Sequence, residues 1–433
     1  MHGFILACSL VSAFILLFGL VSLFVKEKLY LSETLLATAI GIFYGPSVLN
    51  KINIAPSLSD DFMFQFSRLV ISLQVVAVGI AVPKSYIRKE WKSLFVLLFP
   101  LMVLTWLISS GIICLVTKLS FLKSLVIGAC VTPTDPVLAS TVLKGKFANR
   151  YIPVHLRNLL TVESGANDGL GFPLLTLPIY LLTHSSVFEA LKKWTYHTWV
   201  YEIFLAIAIG VFFGYFGRIL LKASKARNLI DKESFLVFII ALAVTVTGFT
   251  ALIDSDDIVA AFICGMVFSW DKSFLKDVKD SHLLDVIDLL INLSYFVLFG
   301  SILPFTDFKA EYWWCAFLII LFRRLPLFFI FRKFVPELRC NREAFFAGWY
   351  GPMGVGAIFF AYFAKQKLPD FLDLVPLVQC VVLSSVIMHG STAPIIHVHL
   401  RKNKSNVQYV DMESNITEFE STSRVVNEHG IDI

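Results

Sequence analysis

Asp135 stands between two prolines in the stretch Val-Thr-Pro-Thr-Asp-Pro-Val-Leu-Ala-Ser (131–140), inside an apolar run. A proline in a helix interior costs about 3 kcal/mol, and a carboxylate in hydrocarbon costs roughly as much again. Pro133, Asp135 and Pro136 together therefore point to a helix interrupted for a function. Asp168 follows in Glu-Ser-Gly-Ala-Asn-Asp-Gly (163–169), with Glu163, Ser164 and Asn167 beside it. A broken helix frees backbone carbonyls, and Thr132 and Thr134 add hydroxyls. Oxygen-only ligands around a carboxylate suit a hard monovalent cation, and no cluster of His or Cys suggests a transition metal. One such carboxylate holds a proton or a cation, seldom both. Exposed alternately to each side of a membrane, Asp168 would suffice for cation/proton antiport.

Further charges need partners. Arg323 and Arg324 lie in Leu-Phe-Arg-Arg-Leu-Pro (321–326) within an apolar run, where an unpaired guanidinium would be very costly. Glu163 projects from the same helix face as Asn167 and is the expected counter-charge of Arg323, with Arg324 as the alternative. Asp256 and Asp257 open a short apolar run and are accessory acids. His389, in Met-His-Gly-Ser-Thr, is a candidate pH sensor, since an unperturbed imidazole titrates near 6.5. Arg68 lies in another apolar run with no partner evident from the sequence.

The elements that must position these residues are membrane spans. Of 433 residues, 57% are hydrophobic and 16% charged, too little charge to cover a soluble surface. Thirteen candidate spans lie near 4–25, 29–49, 63–82, 94–116, 121–143, 159–183, 199–221, 234–253, 257–270, 285–303, 312–331, 344–364 and 375–400. The first lacks the basic flank and cleavage site of a signal peptide. Alternate loops collect roughly 25 Lys and Arg against roughly 8 in the other set. That asymmetry places the N-terminus outside and the C-terminus in the cytosol. The seven cysteines show neither disulfide nor metal spacing. Residues 401–433 turn polar, basic then acidic, and read as a short disordered cytosolic tail.

Six spans, one, and six more form the pattern of an inverted repeat, whose binding site lies between paired broken helices. The fifth span holds Thr-Pro-Thr-Asp-Pro. Its mate, the twelfth, holds Gly-Pro-Met-Gly-Val-Gly-Ala-Ile (351–358), with Gly351, Pro352, Gly354 and Gly356 in about one and a half turns. The expected fold is an all-α polytopic membrane protein with about thirteen spans and two broken crossing helices.

With these residues in place, the chain resembles the fungal plasma-membrane Na+/H+ antiporters of the cation/proton antiporter superfamily over roughly residues 10–400. The resemblance rests on VKEKLY, TPTDPVLAS, GKFANR, HLRNLLTVESGANDG, DKESFL, DDIVAAFICG, FRRLP, GPMGVGAI and MHGST, in that order. It implies the NhaA- and NHE-like fold and an ion site for Na+ or Li+ at Asp135 and Asp168. It also implies a buried Glu163–Arg323 pair and functional roles for Asp256–Asp257 and His389. A homodimer in the lipid bilayer is implied, with a core built from the spans near 94–183 and 312–400. The dimerisation domain would come from those near 4–82 and 199–303. No nucleic acid, enzyme activity or cofactor is expected beyond the transported Na+, Li+, sometimes K+, and H+. Because Asn167 cannot titrate and Asp135 should be held by freed amides, one proton is expected per cation. An organic-anion carrier on the same fold is the main alternative, although it would want positive charge at the crossing. A cation channel is the other, but no selectivity-filter loop is present.

Overall fold

Each of the thirteen apolar runs is helical in the computed structural model, which describes residues 2–29, 31–46, 48, 58–82, 84–143, 152–270 and 288–402. The basic loops around 144–150 and 272–279, Asp285, and the tail from 403 lie outside the described residues. Sixteen helices concern the site: α1 (His2–Phe24), α2 (Glu33–Tyr44), α3 (Asp60–Ala81), α4 (Trp91–Thr117), α5 (Phe121–Cys130), α6 (Pro136–Leu143), α7 (Val154–Thr183) and α8 (Val187–Ala226). They continue with α9 (Lys232–Leu252), α10 (Asp257–Phe268), α11 (Leu289–Ser301), α12 (Ala310–Phe322), α13 (Leu325–Phe331), α14 (Asn341–Trp349), α15 (Val355–Lys367) and α16 (Leu374–Lys402). The described residues up to Ala393 belong to one compact unit.

Among the described residues, six helical stretches are long and apolar enough to cross a membrane. Several others are shorter or broken, whereas α7, which carries Glu163 and Asp168, runs unbroken for 30 residues; the breaks carry most of the information. The fifth span divides into α5 and α6, and the twelfth into α14 and α15. A third interruption, unexpected from the sequence, divides the eleventh span between α12 and α13 at Arg323–Arg324. Its cause is Pro326, which has no N–H to continue the helical ladder. Elsewhere the starts follow ordinary chemistry. Ser59 caps α3 through Phe62 N at 3.1 Å, and Asp231 caps α9 through Ser234 N at 2.7 Å. Asp256 caps α10 through Ile258 N and Val259 N at 3.1 and 2.9 Å.

Helices α3, α8, α9 and α10 pack on one another, as do α2 and α11. The second group joins α4, α5, α7, α12 and the four half-helices of the crossing. The two groups meet where α3 and α10 lie against α7 and where α3 lies against α15. Phe64 of α3 stacks on Phe359 of α15 there, with ring centroids 5.1 Å apart.

Candidate functional site

The site is assembled where the two broken spans cross. Asp135 caps α6, the half-helix that opens at Pro136 in its first position. Its Oδ1 accepts from Val137 N and Leu138 N, both at 2.8 Å. Its Oδ2 reaches across the crossing and accepts from Val355 N, the first residue of α15, at 3.0 Å. Its own amide donates to Pro352 O at 2.8 Å. One carboxylate thus takes up unpaired amides from two helix N-termini, where the dipoles favour negative charge.

The glycines of 351–358 make this approach possible. A Cβ on Gly354 would lie 2.1 Å from Asp135 Oδ2, and one on Gly356 would lie 2.7 Å from Asp168 Oδ1. Each glycine leaves the space that one site carboxylate occupies.

The opposite ends are held by Arg323. Its Nη1 donates to the carbonyls of Val131 and Thr132, just past α5, and its Nη2 donates to Gly351 O, just past α14, at 2.5 Å. A guanidinium therefore serves the carbonyl ends of the other two half-helices. Arg324, turned away by the break at Pro326, forms the bidentate pair with Glu163, at 2.6 and 2.7 Å. The expected Glu163–Arg323 pair is thereby corrected: the sequence alternative, Arg324, holds Glu163. Adjacent arginines face different neighbours, and no spacing rule predicted which was which. Both guanidinium groups and Glu163 are buried, as such a pair must be to matter.

Asp168 lies on α7, 2% exposed, with no hydrogen bond to its carboxylate among the described residues. Its neighbours do not turn to it. Asn167 is committed to the break, accepting from Thr134 N at 3.2 Å and donating to Thr134 Oγ1 at 2.9 Å. Thr134 Oγ1 also shares a hydrogen bond with Ser164 Oγ at 3.0 Å. Thr132 Oγ1 donates back to Gly128 O at 2.7 Å. Asn167, Thr134, Ser164 and Thr132 therefore brace the chain around Pro133.

His389 sits apart, on α16. Its Nε2 faces Trp349 O at 3.0 Å, and its Nδ1 lies 3.2 Å from Ser385 Oγ, which accepts from Met353 N at 2.9 Å. Nδ1 also faces Ser385 O at 2.9 Å, so each ring nitrogen meets a carbonyl that can only accept, and the single N–H of a neutral ring serves one of the two. His389 and Ser385 thus hold both sides of the second break, the end of α14 and the residue after Pro352.

Asp256 and Asp257 are buried at the start of α10. The first is a helix cap. The second pairs with Arg68 Nε at 3.1 Å, supplying the partner that the sequence left unnamed. Arg68 also lies over the rings of Phe64 and Phe359 at 4.8 and 5.8 Å. Sequence reading passed over Glu202, a buried acid inside the apolar seventh span. An acid in such a run was itself the signal.

The family described as "Sodium/hydrogen exchanger, transmembrane" matches residues 12–399. A probable Na+/H+ antiporter of Schizosaccharomyces pombe is 39% identical over 431 residues, a match covering 92% of this chain and 56% of that one. A Na+/H+ antiporter of Saccharomyces cerevisiae is 39% identical over 424 residues, covering 90% and 43%. The chain therefore spans about half the length of these two relatives. A second Na+/H+ antiporter of Schizosaccharomyces pombe is 30% identical, with 91% of this chain and 89% of that one matched. Among solved structures, the sodium proton antiporter MjNhaP1 of Methanocaldococcus jannaschii superposes with a TM-score of 0.69 at 18% identity. That match covers 92% of this chain and 99% of that one, so the two share a fold. Matched from its first long helix to its last, the chain belongs to the sodium/hydrogen exchanger family of transmembrane proteins.

Proposed function

We propose that the protein is a secondary transporter, and not an enzyme, that exchanges cytosolic Na+ or Li+ for external H+. The observation that carries this reading is the contrast between two buried carboxylates. Asp135 is satisfied by three backbone amides and stays as a fixed charge. Asp168 has no such partner and is free to bind a cation or a proton in turn. The relatives' names point to the same exchange. The protein would work in the plasma membrane, N-terminus outside and C-terminus in the cytosol, as a homodimer without a cofactor.

With Asn167 unable to titrate and Asp135 occupied, a single proton is exchanged per cation, and the cycle is electroneutral. Purified protein in liposomes under an imposed pH gradient provides the test. Addition of Na+ or Li+ should release the gradient at a rate that a valinomycin-clamped potential leaves unchanged, and Asp168→Asn should abolish that release in a protein still folded and inserted. Cation flux without proton movement would indicate a channel. Exchange surviving in Asp168→Asn would remove the site assignment.

A further inference from the structure

A cavity of about 350 Å3 opens between α3, α7, α8 and α15 on the side where α7 ends at Thr183. Phe172, one turn beyond Asp168, lines its inner part and packs on Phe363, ring centroids 4.9 Å apart. Neither Asp135 nor Asp168 of the crossing is among its lining residues. Three acids line it, and two of them are buried. Asp257 is paired with Arg68. Glu202 is not fully matched: its Oε1 lies 3.2 Å from His197 Nδ1, whereas Oε2 is buried and accepts no hydrogen bond among the described residues. The residue is only 6% exposed.

An unpartnered carboxylate oxygen at such depth loses its hydration without compensation. Among the nearby cations, Lys367 acts on Glu202 at a distance, and neither it nor Lys193 forms an ion pair with Glu202 among the described residues. Lys193 stands over the Tyr180 ring at 5.1 Å, and Lys367 over the Phe363 ring at 5.7 Å. The cavity lining also offers hard oxygens: the hydroxyls of Thr176 and Ser255 and the carboxylate of Asp257. Those oxygens, in a cavity large enough to keep part of a hydration shell, match a hard monovalent ion rather than a dehydrated divalent one or a soft metal.

We propose that this cavity is a second cation site, separate from the crossing, which takes a partly hydrated monovalent alkali cation on Glu202 Oε2. The ligand class is the one assigned to the crossing under the exchange reading, but the site itself rests on Glu202 alone. It gives the transported ion a place to pause between water and the crossing, with the Phe172–Phe363 contact between the two.

The test separates the two sites. Thermal unfolding of the purified full chain is followed in NaCl or LiCl against choline chloride at constant ionic strength, in an Asp168→Asn background that disables the crossing. A residual Na+-dependent rise in melting temperature is expected, with loss of that rise in D168N/E202Q and weakening in D168N/E202D, which keeps the charge on a shorter arm. Equal Na+ responses in D168N and D168N/E202Q overturn the proposal. Should the glutamine variant fail to fold, an unweakened response in D168N/E202D does the same. Persistent exchange by Asp168→Asn alone would count against the crossing and leave the cavity assignment standing.

Discussion

Asp135 and Arg323 divide one crossing between them by sign. The carboxylate takes the amide ends of α6 and α15, and the guanidinium takes the carbonyl ends of α5 and α14. Four helix termini that would be orphaned in a membrane are matched by two side chains of opposite charge.

Neutralising Arg323 as Arg323→Met should therefore strand carbonyls at both breaks. The expected outcome is a less heat-stable protein with little or no exchange. Because Arg323 does not hold Glu163, adding Glu163→Gln should not restore stability. Rescue in that double variant, read by thermal unfolding in detergent, would show that the two residues interact after all.

Glu163 and Arg324 should behave in the opposite way. Breaking a buried pair from one side costs on the order of 3–5 kcal/mol, because a charge is left unmatched. Glu163→Gln and Arg324→Met should each express poorly and melt early, with partial recovery in the double variant. Arg324→Lys should remain defective, since an ammonium cannot repeat the bidentate contact. Singles as stable as the parent protein would contradict this arrangement.

The glycines offer a steric test. In Gly354→Ala the new methyl collides with Asp135, and in Gly356→Ala with Asp168. Both should lose transport, the first with reduced stability because Asp135 is fixed by backbone on both sides. The second should instead show a weakened apparent affinity for Na+ or Li+ before folding suffers. Normal kinetics in both would mean that the crossing opens more readily than its packing implies.

His389 should tune exchange rather than enable it. Its ring and Ser385 hold the end of α14 and Met353, so His389→Ala should slow exchange and alter its pH profile while leaving the site carboxylates intact. His389→Arg should impair exchange more, by fixing another charge near Arg323 and Arg324. Profiles superimposable on the parent in both variants would reduce His389 to packing.

The spans and the two paired breaks were legible because they are written in residue types: proline, clustered glycine and an aspartate where hydrocarbon excludes charge. Pairing was less legible. Arg323 and Arg324 are adjacent, both basic and both in the same apolar run, so composition could not separate them. Their roles diverge only because Pro326 opens the helix and turns the two side chains toward different neighbours. Arg68 and Asp257 lie far apart in sequence, and only the packing of α3 on α10 brings them together. Glu202 was hidden for the same reason. Its meaning depends on the cavity it lines, and a cavity is a property of several helices at once.

The bonds between the two breaks have a mechanical consequence. Asp135 is tied through its amide and carboxylate to residues 352 and 355, and Arg323 bridges residues 131–132 and 351. Sliding one interrupted span past the other would rupture these links together in a medium that offers no water to replace them. The four half-helices are therefore a single stiff part, and under the proposed exchange a displacement that re-exposes Asp168 would occur at its boundary. That boundary is largely apolar where α3 meets α15, with Phe64 flat against Phe359, Arg68 over the same ring, and Lys365 paired with Asp60 at the exposed edge. The stacked rings can slip without stranding a donor or an acceptor, and the Lys365–Asp60 pair is exposed, where water can replace it. The seam, rather than the knot, is where the molecule yields.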